Sequence, residues 1–161
     1  MRGPDEAELS VMRWGFAPSA PKRPPVINFR SEGRSFGPEG RALILASHFF
    51  EYTGAKSPKT RWRFTKVGAQ GGAEDPFAIA GWTRPAAVGV NPPLTSAGEP
   101  WPMSVTMLTC DPGPDVAPIH DRQIVILDRA DGSTWLFGEA SAARALLRPA
   151  PAGTLAVVQD V

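Results

Sequence analysis

At 161 residues with a formal net charge of +1, the chain is long enough for one domain with its own core. It carries no overall polyanion signal, so any nucleic-acid site must come from local clustering of charge. One cysteine excludes an internal disulfide and a cysteine-rich zinc site, two histidines argue against a catalytic metal, and no apolar run reaches membrane-spanning length.

The 18 prolines and 16 glycines favour short strands joined by many turns. The amino end is polar, with Asp5, Glu6 and Glu8 and no apolar secretion core, so a cytoplasmic location is expected. Residues 9–16 predict a strand with Trp14 and Phe16 on one face. A proline-rich basic segment follows (Pro18, Pro21, Lys22, Arg23, Pro24, Pro25), which is incompatible with helix interior and reads as an extended loop. Val26-Ile27 then delivers Asn28 and Arg30, and residues 31–41 are irregular. Positive charge gathers here in Lys22, Arg23, Arg30, Arg34 and Arg41. With Glu32 and Glu39 among them, an ordinary solvated face is an equal reading.

Residues 42–52 (ALILASHFFEY) give the strongest strand signal and end in Glu51. Burial of an acid there would raise its pKa and suit it to proton transfer; the plainer reading is a strand-end acid that reaches water. His48, three residues earlier, falls on the opposite face and reads as a structural, capped core histidine. Residues 60–67 alternate as a half-exposed strand, 68–76 form a Gly-rich turn, 77–82 a buried strand, and 83–101 a long loop. Residues 103–110 are another strand, with Val105 and Met107 facing away from Ser104 and Thr106. His120 lies in a proline-tightened loop before the apolar run Ile124-Val125-Ile126-Leu127. That placement suits a group both accessible and rigidly held, although a surface histidine beside a solvated Asp121-Arg122 pair is the blander alternative. Two short helices are expected at 133–137 and 139–147, and a closing strand at 154–161. Cys110 and His120 could form a thiol–imidazole dyad, but a cysteine at the end of an apolar strand is more often a packing residue. The pattern predicts a single α+β domain over 1–161, β-rich and antiparallel, with a few short helices.

Five segments occur in the order and spacing of one family: Met12-Arg13-Trp14-Gly15-Phe16-Ala17-Pro18, Val26-Ile27-Asn28-Phe29-Arg30-Ser31-Glu32, Arg41-Ala42-Leu43-Ile44 leading to Phe49-Phe50-Glu51-Tyr52, Phe77-Ala78-Ile79-Ala80-Gly81-Trp82, and Ala117-Pro118-Ile119-His120-Asp121-Arg122. On these residues the chain resembles the SOS response-associated peptidase family, sensors that shield abasic sites in single-stranded DNA. The resemblance implies a partly open, barrel-like β-rich domain with a basic DNA cleft, peptidase- or lyase-like chemistry, no metal and no cofactor. A monomer is expected, with abasic single-stranded DNA as partner and no membrane association. It assigns Asn28, Glu51 and His120 to the active site, and Arg30, Lys22, Arg23 and Arg122 to the phosphates.

Two features depart from the family pattern. The family's amino-terminal Cys, exposed by loss of the initiator Met, closes a thiazolidine on the abasic aldehyde; here the second residue is Arg2. The expectation is either a start placed too late or a shortened member, and at most a borohydride-trapped adduct rather than a heat-stable crosslink. The loop after Pro18 has Ser19-Ala20-Pro21 where relatives carry base-wedging aromatic residues. Three readings follow: an abasic-DNA-processing protein, a non-catalytic single-stranded-DNA-binding module, and a thiol peptidase using Cys110.

Overall fold

The computed structural model describes residues 6–18, 20, 22–68, 76–86 and 94–160. Most of the Gly-rich turn at 68–76, residues 87–93 of the loop at 83–101, and Ser19 and Pro21 of the basic loop lie outside them.

The larger sheet is organised around β7 (Met103–Cys110) and β6 (Phe77–Pro85), which pair antiparallel from Gly81↔Met107 to Pro85↔Met103. β3 (Arg41–Ala46) runs antiparallel along β6 from Arg41↔Trp82 to Ala46↔Phe77. β1 (Arg13–Trp14) and β2 (Asn28–Arg30) pair one after the other with β7, both in parallel. The sheet is therefore mixed rather than wholly antiparallel. The smaller sheet is an antiparallel set in the order β10 (Leu155–Asp160), β5 (Thr60–Lys66), β4 (His48–Thr53). Among the described residues neither sheet closes on itself, and the α-helices are two short ones, α1 (Gly132–Phe137) and α2 (Ala140–Ala145).

The apolar run 124–127 is buried because it fills the gap where β6 and β7 diverge. β8 (Gln123–Ile124) pairs with the end of β7, and β9 (Ile126–Leu127) with the start of β6. Between them the Val125 N–H donates to the Leu108 carbonyl, and the Ala80 N–H donates to the Val125 carbonyl, each at 2.9 Å. Val125 packs with Ala80, Leu108, Leu127, Trp135 and Phe36 in the main core. A second cluster of Phe64, Val116 and Leu155 lies under the smaller sheet, and a third is built on Phe77, Ile79 and Ile124. Phe49 joins these two. Its ring stacks on Phe64 at 4.7 Å and meets Phe77 edge-on at 6.4 Å, so one side chain ties the sheets together.

Three sequence expectations are corrected. The strand at 42–52 is two strands in different sheets, broken at Ser47. The strand at 9–16 shrinks to Arg13–Trp14; Leu9 and Val11 are exposed, and Phe16 is buried while Trp14 is 46% exposed. On β7 the expected alternation holds: Ser104 and Thr106 are fully buried, the Thr106 hydroxyl donating to the Ile27 carbonyl at 2.7 Å, whereas Val105 and Met107 are half-buried. Arg41 does not belong to a basic surface: its guanidinium is buried and donates to the Trp135 and Gly138 carbonyls, both at 2.8 Å, at the end of α1. Those carbonyls have no partner inside the helix, so the guanidinium acts as a C-terminal cap.

Candidate functional site

Strand alternation explains where Glu51 points. Phe49, Glu51 and Thr53 share one face of β4, opposite Phe64, Trp62 and Thr60 on β5. Phe49 and Phe64 face the larger sheet, so Glu51 is carried into the junction between sheets rather than to open solvent. Trp62 lies directly across from it, its indole N–H donating to Thr53 Oγ1 at 2.9 Å.

His120 reaches the same junction on the loop between β7 and β8. Val116 is fully buried against Phe64 and Leu155 and anchors the loop. The Asp115 carboxylate accepts the Gly153 and Leu155 N–H groups at 3.0 and 2.9 Å, pinning the loop to the start of β10. A helical turn follows, in which the Ile119 and His120 N–H groups both donate to the Val116 carbonyl at 2.8 and 3.0 Å. At the loop's base the Gly113 N–H donates to buried Gln123 Oε1 at 2.9 Å. A Cβ on Gly113 would stand 2.3 Å from the Ala150 carbonyl oxygen, so only glycine permits that approach.

Glu51 and His120 face each other: Nε2 lies 3.6 Å from Glu51 Oε2, with the side chains 37% and 20% exposed for His120 and Glu51 respectively. This is longer than a hydrogen bond, so both groups retain capacity for a third polar atom. Burial pushes the Glu51 carboxyl above its ordinary value; His120 opposes the rise and Asp121 adds to it. Asp121 Oδ1 stands 3.5 Å from Nδ1 on the other side of the ring. The backbone of Arg122 presents both a donor and an acceptor to Nδ1, its N–H at 3.1 Å and its carbonyl at 3.0 Å. Nδ1 therefore has a partner whether it carries a proton or not, and Nε2 can gain or lose one without stranding the ring. A half-buried acid with a raised pKa beside an imidazole served in both protonation states is equipped for general acid–base chemistry.

Asn28 and Arg30 stand on β2, exposed, opposite Met107 and Thr109 of β7, while Phe29 between them is half-buried. Among the described residues no hydrogen bond joins Asn28 to Glu51 or His120. Lys22 and Arg23 are exposed on the basic loop, Lys22 at a left-handed φ of 67°. Arg122 is committed elsewhere: its guanidinium forms a two-pronged pair with Glu32 at 2.7 and 2.9 Å, and reaches Asp111 Oδ1 at 3.1 Å and Thr109 Oγ1 at 3.2 Å. Its charge is matched by carboxylates rather than presented to solvent. His48 is exposed, not a core residue, with Nδ1 2.9 Å from Ser47 Oγ. Cys110 is buried, and burial pushes its thiol up to about 11, which keeps it protonated and removes the physical basis for a thiol nucleophile.

Sequence reasoning missed Glu32, Asp111 and Asp115 as parts of this site. Asp115 immediately precedes the buried Val116, but nothing local marks it as a backbone cap forty residues from its partners. Among the described residues no three metal-ligating side chains cluster, and no helix is long and apolar enough to cross a membrane. An open depression of about 450 Å3 lies on the other face of β4, lined by Tyr52, Lys59, Arg61 and Asp160. It does not include Glu51 or His120, and their chemistry, not its volume, defines the candidate site.

Comparison with known proteins agrees with the fold. The family model described as SOS response associated peptidase matches residues 2–160. A crystal structure of a protein from Bordetella bronchiseptica is similar at 26% identity and a TM-score of 0.70, over 94% of this chain and 77% of that one. A crystal structure of a protein from Bacteroides thetaiotaomicron shares the fold at 17% identity and a TM-score of 0.64, over 83% of this chain; the match spans 58% of the Bacteroides chain. No curated protein is similar enough to match.

Proposed function

Since the chain belongs to the SOS response associated peptidase family, we propose that it binds abasic single-stranded DNA and uses Glu51 and His120 to move protons at the opened sugar. Membership of the family supports a role in the response to DNA damage and an interaction with DNA. The observation that carries the finer reading is the Glu51–His120 contact of 3.6 Å, made between two sheets, with the carboxyl pushed up by burial.

An abasic sugar opens to an aldehyde, and an amine that attacks it gives a carbinolamine. Conversion to the imine requires the amine nitrogen to lose a proton and the hydroxyl to leave as water after gaining one. Glu51, whose carboxyl burial pushes above its ordinary value, supplies the proton to the leaving hydroxyl. His120 accepts the proton from nitrogen through Nε2 while the Arg122 backbone serves Nδ1. Asn28 holds the amine by hydrogen bonds, and Arg30, Lys22 and Arg23 neutralise flanking phosphates.

Affinity for a single-stranded oligonucleotide with one abasic site, for its intact counterpart and for a duplex, each measured at about 50 and 200 mM salt, tests the binding. The expected order is single strand above duplex, with affinity falling as salt rises. Replacing Arg30 by Ala should reduce the salt slope by about 0.7–0.9. Affinity indifferent to salt, or no binding at the lower concentration, overturns the reading.

A further inference from the structure

We propose that Glu32 is a positioning residue for His120, acting through Arg122. The inference deepens the acid–base reading above, on which its functional consequence rests, but its structural claim can be tested without DNA.

His120 Nδ1 has its closest polar partners in the N–H and carbonyl of Arg122, at 3.1 and 3.0 Å. The ring is therefore only as well oriented as the Arg122 backbone. That backbone lies at the mouth of the loop, one residue before β8 begins at Gln123. What holds it is the side chain: a guanidinium 17% exposed, forked onto both oxygens of Glu32. Asp111 adds one bond to the same fork, but its side chain is 79% exposed, so solvent competes with it. Glu32 is the partner with geometry that fixes a plane.

Glu32 is itself fixed by what precedes it. Ser31 donates from its backbone N–H and from its hydroxyl to the Thr109 carbonyl, at 3.0 and 2.9 Å. Thr109 Oγ1 in turn accepts from the Arg122 guanidinium. The end of β2, the end of β7 and the His120 loop are thus locked at one point. Asn28 and Arg30 lie on the strand that leads into it, so the same clamp relates the β2 side of the site to the imidazole. Orientation here matters because a displacement of about 1 Å from productive geometry can slow a reaction up to about 10²-fold.

The test compares the wild-type chain with Glu32→Gln and Glu32→Asp. With only two histidines, long-range 1H–15N spectra resolve both rings and report each one's tautomer and titration. In the wild type the Arg122 carbonyl and N–H both lie against Nδ1, at 3.0 and 3.1 Å, so the placing of that backbone governs which tautomer the neutral ring adopts. The expected result is a severalfold change in the His120 tautomer ratio and a shifted midpoint in Glu32→Gln, partial recovery in Glu32→Asp, and unchanged His48 signals. The rate of borohydride-trapped adduct formation on abasic single-stranded DNA should fall about tenfold to 10²-fold in Glu32→Gln. Affinity should hold or tighten, since a guanidinium is released. An unchanged His120 tautomer and titration in a folded Glu32→Gln protein overturns the proposal even if DNA is bound. A shifted His120 without DNA binding upholds the positioning role and overturns the function instead.

Discussion

Two carboxylates meet the same loop and are treated in opposite ways. Glu32 faces a guanidinium at 2.7 and 2.9 Å, and that hydrogen bonding holds its carboxyl below the ordinary value although its side chain is 45% exposed. Glu51 faces an imidazole at 3.6 Å, is more buried, and is pushed up. The difference lies in the partner. A permanently charged, planar fork offsets the loss of solvation, whereas an imidazole at longer range does not, so burial decides for Glu51. The first arrangement suits holding a loop in place; the second suits exchanging a proton.

Breaking the second arrangement should have the largest effect. Glu51→Gln keeps the shape and removes the proton, and is expected to slow borohydride-trapped adduct formation by about 10²–10⁴-fold with little change in DNA affinity. Equal rates for the two proteins would remove Glu51 from the chemistry. Next comes the floor beneath His120: Phe64→Ala, which empties the cluster under Val116 and Phe49, should cost about 3–5 kcal/mol in denaturant unfolding. Gly113→Ala forces a methyl group against the Ala150 carbonyl and should cost about 1–3 kcal/mol by the same measurement; a neutral result would mean that the loop base yields easily.

The smallest effect is the most specific to the comparison. Glu32, lowered from 4.5, contributes stability that is present above that value and lost as pH falls through its folded pKa. Glu51, raised from 4.5, works in reverse: its ionisation weakens the fold as pH rises through its folded pKa. Stability measured between pH 4 and 7 should therefore show Glu51→Gln gaining on the wild type toward neutrality and Glu32→Gln losing. Parallel curves would mean that the two carboxylates do not differ as described.

Much of the fold was legible because single strands and helices announce themselves by local pattern. Residues 60–67, 103–110 and 154–161 read correctly to within a residue. The Ser47 break was hidden because Ala46 and Phe49 are both apolar and no glycine or proline separates them; only the change of sheet shows it. Alternation on β7 was legible but not which face is buried, because the hydroxyl of Thr106 is satisfied by a segment 79 residues away. That Glu51 and His120 face each other could not be read from the sequence, because they stand on a strand and a loop far apart in the chain. The pairing of Arg122 with Glu32 was not legible because the two lie 90 residues apart.

The passage from one sheet to the other at Ser47 occupies a single residue, which leaves no slack between β3 and the acid four positions on. Phase along β4 is therefore an all-or-none variable. One residue inserted between Phe49 and Glu51 would move the carboxylate to the side now held by Tyr52 and Phe50, away from the imidazole, while the remaining strand could still pair with β5. A lineage could in this way lose the chemistry in one step and keep a soundly folded shell. Relatives differing in length at this point should therefore be sorted by which side of β4 their acid occupies before any activity is assigned to them.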